Sequence, residues 1–197
     1  MIATQPNAPE TRGRILDAAA DLLAGGKVAS MAEIARTAGV SRQTVYLHFG
    51  DRRHLFGDLI SHFIRRSGFS QPVTLPAAQP ARDTFDQFFR HFVHVVWHVG
   101  PALRPLWAAM AADDEIIESV KLGDALVTAA FHRLFARLEE EGCLAPIWTA
   151  TEAAEAAWSM SLYWLTVGHM RAMRGWSEEE IVSIQLKMLR ATFLRAL

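Results

Sequence analysis

Apolar residues recur at helical spacing along almost the whole chain. Between Arg12 and Leu23, the residues Ile15, Leu16, Ala19, Leu22 and Leu23 fall on one stripe, the three-and-four period of an amphipathic helix. Ser30 followed three residues later by Glu33 has capping-box spacing and predicts a helix over Met31–Ala38, which Gly39 ends as a left-handed residue. Ser41 then caps a third helix and Asp51 a fourth, Arg52 to Arg66, with the stripe Leu55, Leu59 and Phe63.

The proline-bearing run "SGFSQPVTLPAAQP" interrupts this pattern, and longer helices follow it. They are predicted at about Ala81–Val99, Ala102–Ala111, Asp114–Glu141, Thr149–Met173 and Ser177–Ala196, with Thr149/Glu152 and Ser177/Glu180 as further capping boxes. Alternation of period two between turn residues is missing. The expected fold class is therefore all-α: an N-terminal three-helix domain and a larger C-terminal helical bundle, about nine helices in all. The boundaries read as an arm at 1–10, a short-helix domain at 11–50, a connecting helix at 51–66 and a second domain at 67–197.

The third helix, in "SRQTVYLHFGDRR", carries the chemistry. On a helical wheel with Ser41 at zero, Val45 and Phe49 fall near 40° and 80°, whereas Gln43 and Leu47 fall near 200° and 240°. Two apolar anchors face the core. The opposite side presents Arg42, Gln43, Thr44, Tyr46, Leu47 and His48 where an ordinary amphipathic helix would carry Lys and Glu. A helix, a glycine turn and a second helix with such tips match the helix-turn-helix, whose second helix lies in the major groove of double-stranded DNA. Arg42 can fork onto guanine, Gln43 can pair with adenine, and Leu47 or Thr44 can touch a thymine methyl. Tyr46, His48 and Arg52 suit phosphate oxygens.

Charge supports that placement modestly. The net formal charge is −1, yet residues 1–66 sum to +3 and the remainder to −4. The single cysteine, Cys143, excludes an intramolecular disulfide framework and favours a reducing, cytoplasmic setting. The N-terminus lacks the basic and apolar regions of a secretory signal, and no stretch is long and apolar enough to span a bilayer, so no membrane partner is expected. No nucleophile elbow, phosphate loop or HExxH occurs, which argues against an enzyme, and no cofactor is expected.

Taken together, "RILDAAADLL…SMAEIARTAGVSRQTVYLHFGDRRHLFGDLI" resembles the N-terminal domain of the TetR family of transcriptional regulators over about residues 11–60. The loop "AGGKVAS" is slightly shorter than in many members, and "FGDRR" carries an extra arginine. The resemblance implies a DNA-facing set of Ser30, Arg42, Gln43, Thr44, Tyr46, Leu47, His48 and Arg52. It also implies a ligand-responsive homodimer, probed by a small-molecule effector in the C-terminal helices and acting as a repressor at a palindromic operator.

The second domain offers composition rather than a motif. All six tryptophans lie beyond residue 96, alongside a phenylalanine-rich segment from Phe85 to Phe92. One reading is an apolar pocket for a flat or greasy effector. Its candidate lining is Phe88, Phe92, His94, Trp97 and Trp107, with Met110, Phe131, Phe135, Trp158 and Leu162. The other reading is plain core and interface packing. His91, His94 and His98 share the face opposite the phenylalanines. His91 and His98 stand roughly 10 Å apart along the axis, too far for all three to hold one ion, so no metal site is expected. The alternative pairs two of them with a ligand from elsewhere, for instance His132 or His169. For the dimer, Trp158, Ser161 and Leu165 join Ile184 and Met188 on two final helices that would form a four-helix interface.

Overall fold

A computed structural model describes the backbone of residues 8–66, 79–110, 112–160 and 164–196. Among them the chain forms helices joined by short turns, and the only extended pairing is a bridge between Leu144 and Leu194. The helices are α1 (Ala8–Ala24), α2 (Met31–Ala38), α3 (Arg42–Phe49), α4 (Arg52–Arg66), α5 (Ala81–Ala109), α6 (Asp114–Glu140), α7 (Ala150–Met160), α8 (Trp164–Arg174) and α9 (Glu178–Phe193). They build two compact units. One comprises Met1–Arg66 with Ala102–Asp124, the other Ser67–Pro101 with Ala125–Leu197.

The first unit closes around Ile15, Leu16 and Leu23 of α1, Ile34 of α2, Val45 and Phe49 of α3, and Leu55, Phe56 and Leu59 of α4, all buried. Such a small core leaves little stabilisation to spare, and polar ties assist it. Arg12 pairs with Asp58 and lies over the Phe49 ring, 4.8 Å from its centroid. His62 Nε2 stands 3.0 Å from Asp17 Oδ1, a second link between α1 and α4.

In the second unit Phe85, Phe88, Phe89, Phe92, Phe131, Phe135 and Phe193 are buried against one another from α5, α6 and α9. Their rings meet mostly edge to face: Phe88–Phe131 at 4.8 Å, Phe92–Phe131 at 5.4 Å and Phe135–Phe193 at 5.2 Å between centroids. That arrangement sets the positive ring edge on the negative face. Around this core α5 and α9 are stitched by Arg190 with Asp86 and by Arg90 with Glu179. The segment after α6 pairs with the chain beyond α9, Ala145 N–H donating to Phe193 O and Arg195 N–H to Cys143 O.

Two elements differ from the sequence reading. The break expected at Gly100–Pro101 does not occur, and α5 runs uninterrupted for 29 residues. The stretch holds two internal prolines, Pro101 and Pro105, each forfeiting one hydrogen bond at a cost of about 3 kcal/mol. Val96, Val99, Leu103 and Leu106 continue one buried stripe across them, and at roughly 1.5–3 kcal/mol per buried side chain that continuity outweighs the loss. Helix α1 also begins at Ala8, inside the expected arm, with Pro9 in its first turn, where a missing N–H is harmless. The stretch expected as one helix from Thr149 to Met173 is described as α7 and α8, residues 161–163 lying outside the described residues.

Candidate nucleic-acid interface

The interface is built from the caps outward. Ser30 N–H donates to Glu33 Oε2 at 2.9 Å while Glu33 N–H donates to Ser30 Oγ at 3.3 Å, closing the capping box of α2. Lys27 adds an ion pair to the same carboxylate, and these bonds hold the Glu33 pKa down at about 2. At the other end Gly39 adopts φ 66°, ψ 36°, and Val40 N–H reaches back to Ala35 O at 3.0 Å. The Arg14 guanidinium of α1 donates to Ala38 O at 2.8 Å, satisfying a carbonyl that the helix leaves open.

Two residues later Ser41 caps α3, its Oγ accepting from Thr44 N–H at 3.0 Å. Gly50, at φ 74°, ends α3 with its N–H on Tyr46 O, and Asp51 caps α4 by accepting from His54 N–H at 2.9 Å. That bond and the Arg53 guanidinium hold the Asp51 carboxyl well below the usual range. The whole helix-turn-helix is thus fixed by short-range bonds at both ends of both helices.

Val45 and Phe49 are buried and clamp α3 to its unit. Outward, Arg42 and Gln43 are exposed, Tyr46 is 39% exposed and Leu47 is 83% exposed. Arg42 donates to the Tyr46 hydroxyl at 3.2 Å and lies 5.4 Å from its ring centroid, so the two tips form one platform. Thr44 and His48 are half-buried, and the Thr44 hydroxyl lies 2.8 Å from Ser41 Oγ. Ser30 is exposed, though its hydroxyl already serves the capping box. Arg52 is differently placed. Its Nη1 donates to Asp113 Oδ2 at 2.6 Å and to Glu115 Oε2 at 3.3 Å, and its guanidinium lies over Phe56. The same contact lowers the Asp113 pKa.

Sequence reasoning passed over the supporting roles of Arg12 and Arg14. Their partners, Asp58 and Ala38 O, are 46 and 24 residues distant, so no local spacing announces them.

The residues expected to line an effector site divide between the units. Phe88, Phe92, Phe131 and Phe135 belong to the second unit's packed core. Trp158 is half-buried and meets Phe92 at 6.3 Å and Phe131 at 5.5 Å. Trp97 carries the Arg171 guanidinium 4.6 Å from its ring centroid, and His94 faces Glu178. Trp107 and Met110 fall in the first unit. Of the expected dimer residues, Ile184 and Met188 are exposed on α9, flanking the face that buries Ile181, Val182, Leu186 and Leu189. Leu162, Ser161 and the side chains of Leu165 and His169 lie outside the described residues.

A glycine-ended helix, a serine-capped second helix bolted down by two apolar anchors, and an outward platform of Arg, Gln, Tyr and Leu define a helix-turn-helix DNA-binding protein. Comparison with known proteins makes the class specific. Residues 15–59 match the profile described as "Bacterial regulatory proteins, tetR family". The repressor LfrR of Mycolicibacterium smegmatis is 26% identical over 178 residues, covering 87% of this chain and 84% of that one. The regulator AcrR of Shigella flexneri is 43% identical over 58 residues, 28% of this chain and 27% of its own. Among solved structures, NalD of Pseudomonas aeruginosa, described as the secondary repressor of the MexAB-OprM multidrug efflux pump, superposes with a TM-score of 0.71 at 23% identity. That alignment covers 96% of this chain and 98% of NalD. FadR of Thermus thermophilus, a TetR-family repressor solved with lauroyl-CoA, gives 0.64 at 18% identity, over 90% and 92% of the two chains. Residues 15–59 thus match TetR-family regulatory proteins, and the chain shares the fold of TetR-family regulators of known structure.

Proposed function

We infer that the protein is a homodimeric repressor whose α3 reads the major groove of an inverted-repeat operator and which a largely apolar or aromatic small molecule releases. The observation that carries the DNA half of this reading is Leu47, 83% exposed in the middle of α3. No core claims that side chain, and a thymine methyl is a partner of matching chemistry. Arg42 and Gln43 stand beside it for guanine and adenine, and Tyr46 and His48 for phosphates. Arg52 can serve a phosphate only by giving up Asp113 and Glu115.

Repression is supported by the likeness to LfrR, which runs along most of both chains. Dimerisation is supported by Ile184 and Met188, one helical turn apart and 43% and 44% exposed on α9. For the effector, Trp158 is half-buried beside the packed rings of Phe92 and Phe131, an aromatic face on the second unit's core that a flat apolar molecule could reach. The free thiol of Cys143 fits a cytoplasmic site of action.

Selection of bound duplexes from a randomised pool tests the reading. An inverted repeat should be enriched, and Arg42→Ala and Tyr46→Ala should each weaken its binding about tenfold, the scale of one lost base or phosphate contact. Far-UV circular dichroism should stay unchanged in both. Failure to enrich any sequence, or full affinity in both variants, overturns the assignment of α3. A thermal-shift screen of apolar aromatic compounds, followed by release of the enriched duplex, tests the effector half.

A further inference from the structure

We propose that His94 and His98 of α5 and Glu178 of α9 form a binding site for a divalent transition-metal ion of the zinc type. The three side chains bring their ligand atoms within 4.8 Å of one another. His94 Nδ1 stands 2.5 Å from Glu178 Oε1, His98 Nε2 stands 3.5 Å from Glu178 Oε2, and the two imidazole rings lie 4.3 Å apart. Spacing by four residues on a helix puts both imidazoles on one side of one turn, the same spacing by which the two histidines of HExxH share a zinc ion. Ligands of a tetrahedral ion at about 2.0–2.2 Å sit roughly 3.4 Å from each other. The two distances to Glu178 straddle that value.

The carboxylates around α9 are divided in a way that frees Glu178 for this role. Its first turn carries Glu178, Glu179 and Glu180. Glu180 is taken by the capping box with Ser177, and Glu179 by Arg90 at 3.0 Å. Glu178 alone turns to the two imidazoles. A helix N-terminus carries about half a positive charge and opposes a cation, and the full negative charge of Glu178 more than offsets it. Neutral imidazole and carboxylate are the donor set that zinc, nickel and copper favour over magnesium or calcium. Three protein ligands leave a coordination position open for water or a small anion. The ion would fasten the middle of α5 to the start of α9, and it requires neither DNA nor an organic effector.

This site has the form of a histidine pair from α5 joined by a ligand from elsewhere, and that ligand is Glu178. His91 is not among the ligands, and His132 is directed instead to Glu155 at 2.8 Å.

The test uses the full-length, tag-free protein, stripped with chelator and titrated with Zn(II) alone against a chromophoric competitor. One equivalent per chain should bind, and His98→Ala and Glu178→Gln should each weaken binding at least tenfold while Glu179→Gln leaves it unchanged. Zn(II) should also raise the melting temperature of the parent protein and not of the His98 and Glu178 variants. Titration with Co(II) should give visible absorption of low-symmetry, protein-bound cobalt in the parent only. Absence of saturable Zn(II) binding, equal affinity in parent and either ligand variant, or an equal loss in Glu179→Gln overturns the site.

Discussion

Val45 and Leu47 stand two positions apart on α3 and divide its two tasks. Val45 is fully buried and Leu47 is 83% exposed, so truncating each should move a different observable. Val45→Ala removes two methyl groups from the core and should cost about 2 kcal/mol in urea denaturation, roughly 0.8 kcal/mol per group plus a cavity term. Leu47→Ala should stay within about 0.5 kcal/mol of the parent, as surface substitutions do, yet lose affinity for the enriched duplex. A large stability loss in Leu47→Ala would show that a core, and not a groove, claims the side chain. These roles were legible in the sequence because a wheel assigns them from spacing alone. The pinning of Arg52 was not, since Asp113 and Glu115 lie 61 and 63 residues further on.

At the scale of elements, the sequence was most readable where structure is local. The three capping boxes, at Ser30, Thr149 and Ser177, and the left-handed Gly39 are decided within four residues. Gly39 gives a direct check: a Cβ there would meet only the far end of the Arg14 side chain, at 3.8 Å. The penalty for Gly39→Ala is therefore conformational and not steric, about 1 kcal/mol for holding an L-residue at positive φ. Equilibrium denaturation should find that loss, and an unchanged midpoint would mean that the α2–α3 turn relaxes to another geometry. Helix α5 was misread for the converse reason. Gly100–Pro101 is a strong local stop signal, and only burial by distant residues overrides it. The convergence of His94 and His98 on Glu178 likewise joins residues 84 and 80 apart in the chain, beyond any spacing rule.

For the whole molecule, the carboxylates that hold helix starts set the response to acid. Glu33, Asp51, Glu152, Glu180 and Asp113 all have pKa values below their ordinary ones, chiefly through hydrogen bonds that only the folded chain supplies. A lowered carboxylate stabilises the fold above its unfolded pKa, and that contribution is lost as pH falls toward the folded value. For Glu33 the window runs from 4.5 down to about 2. The urea midpoint should therefore be level near neutrality and fall through that window, and Glu33→Gln should flatten part of the fall. An acid response identical in the variant would separate Glu33 from it. These groups are exposed or half-buried, so solvent screening keeps each contribution small. The tryptophans add a last property. Residues 8–66 contain none, and Trp97 sits beneath the Arg171 guanidinium as the immediate chain neighbour of His98. Indole emission is therefore silent on α3 itself, while a quenching ion held by His98 would darken Trp97 first, giving the chain an intrinsic optical reporter that needs no label.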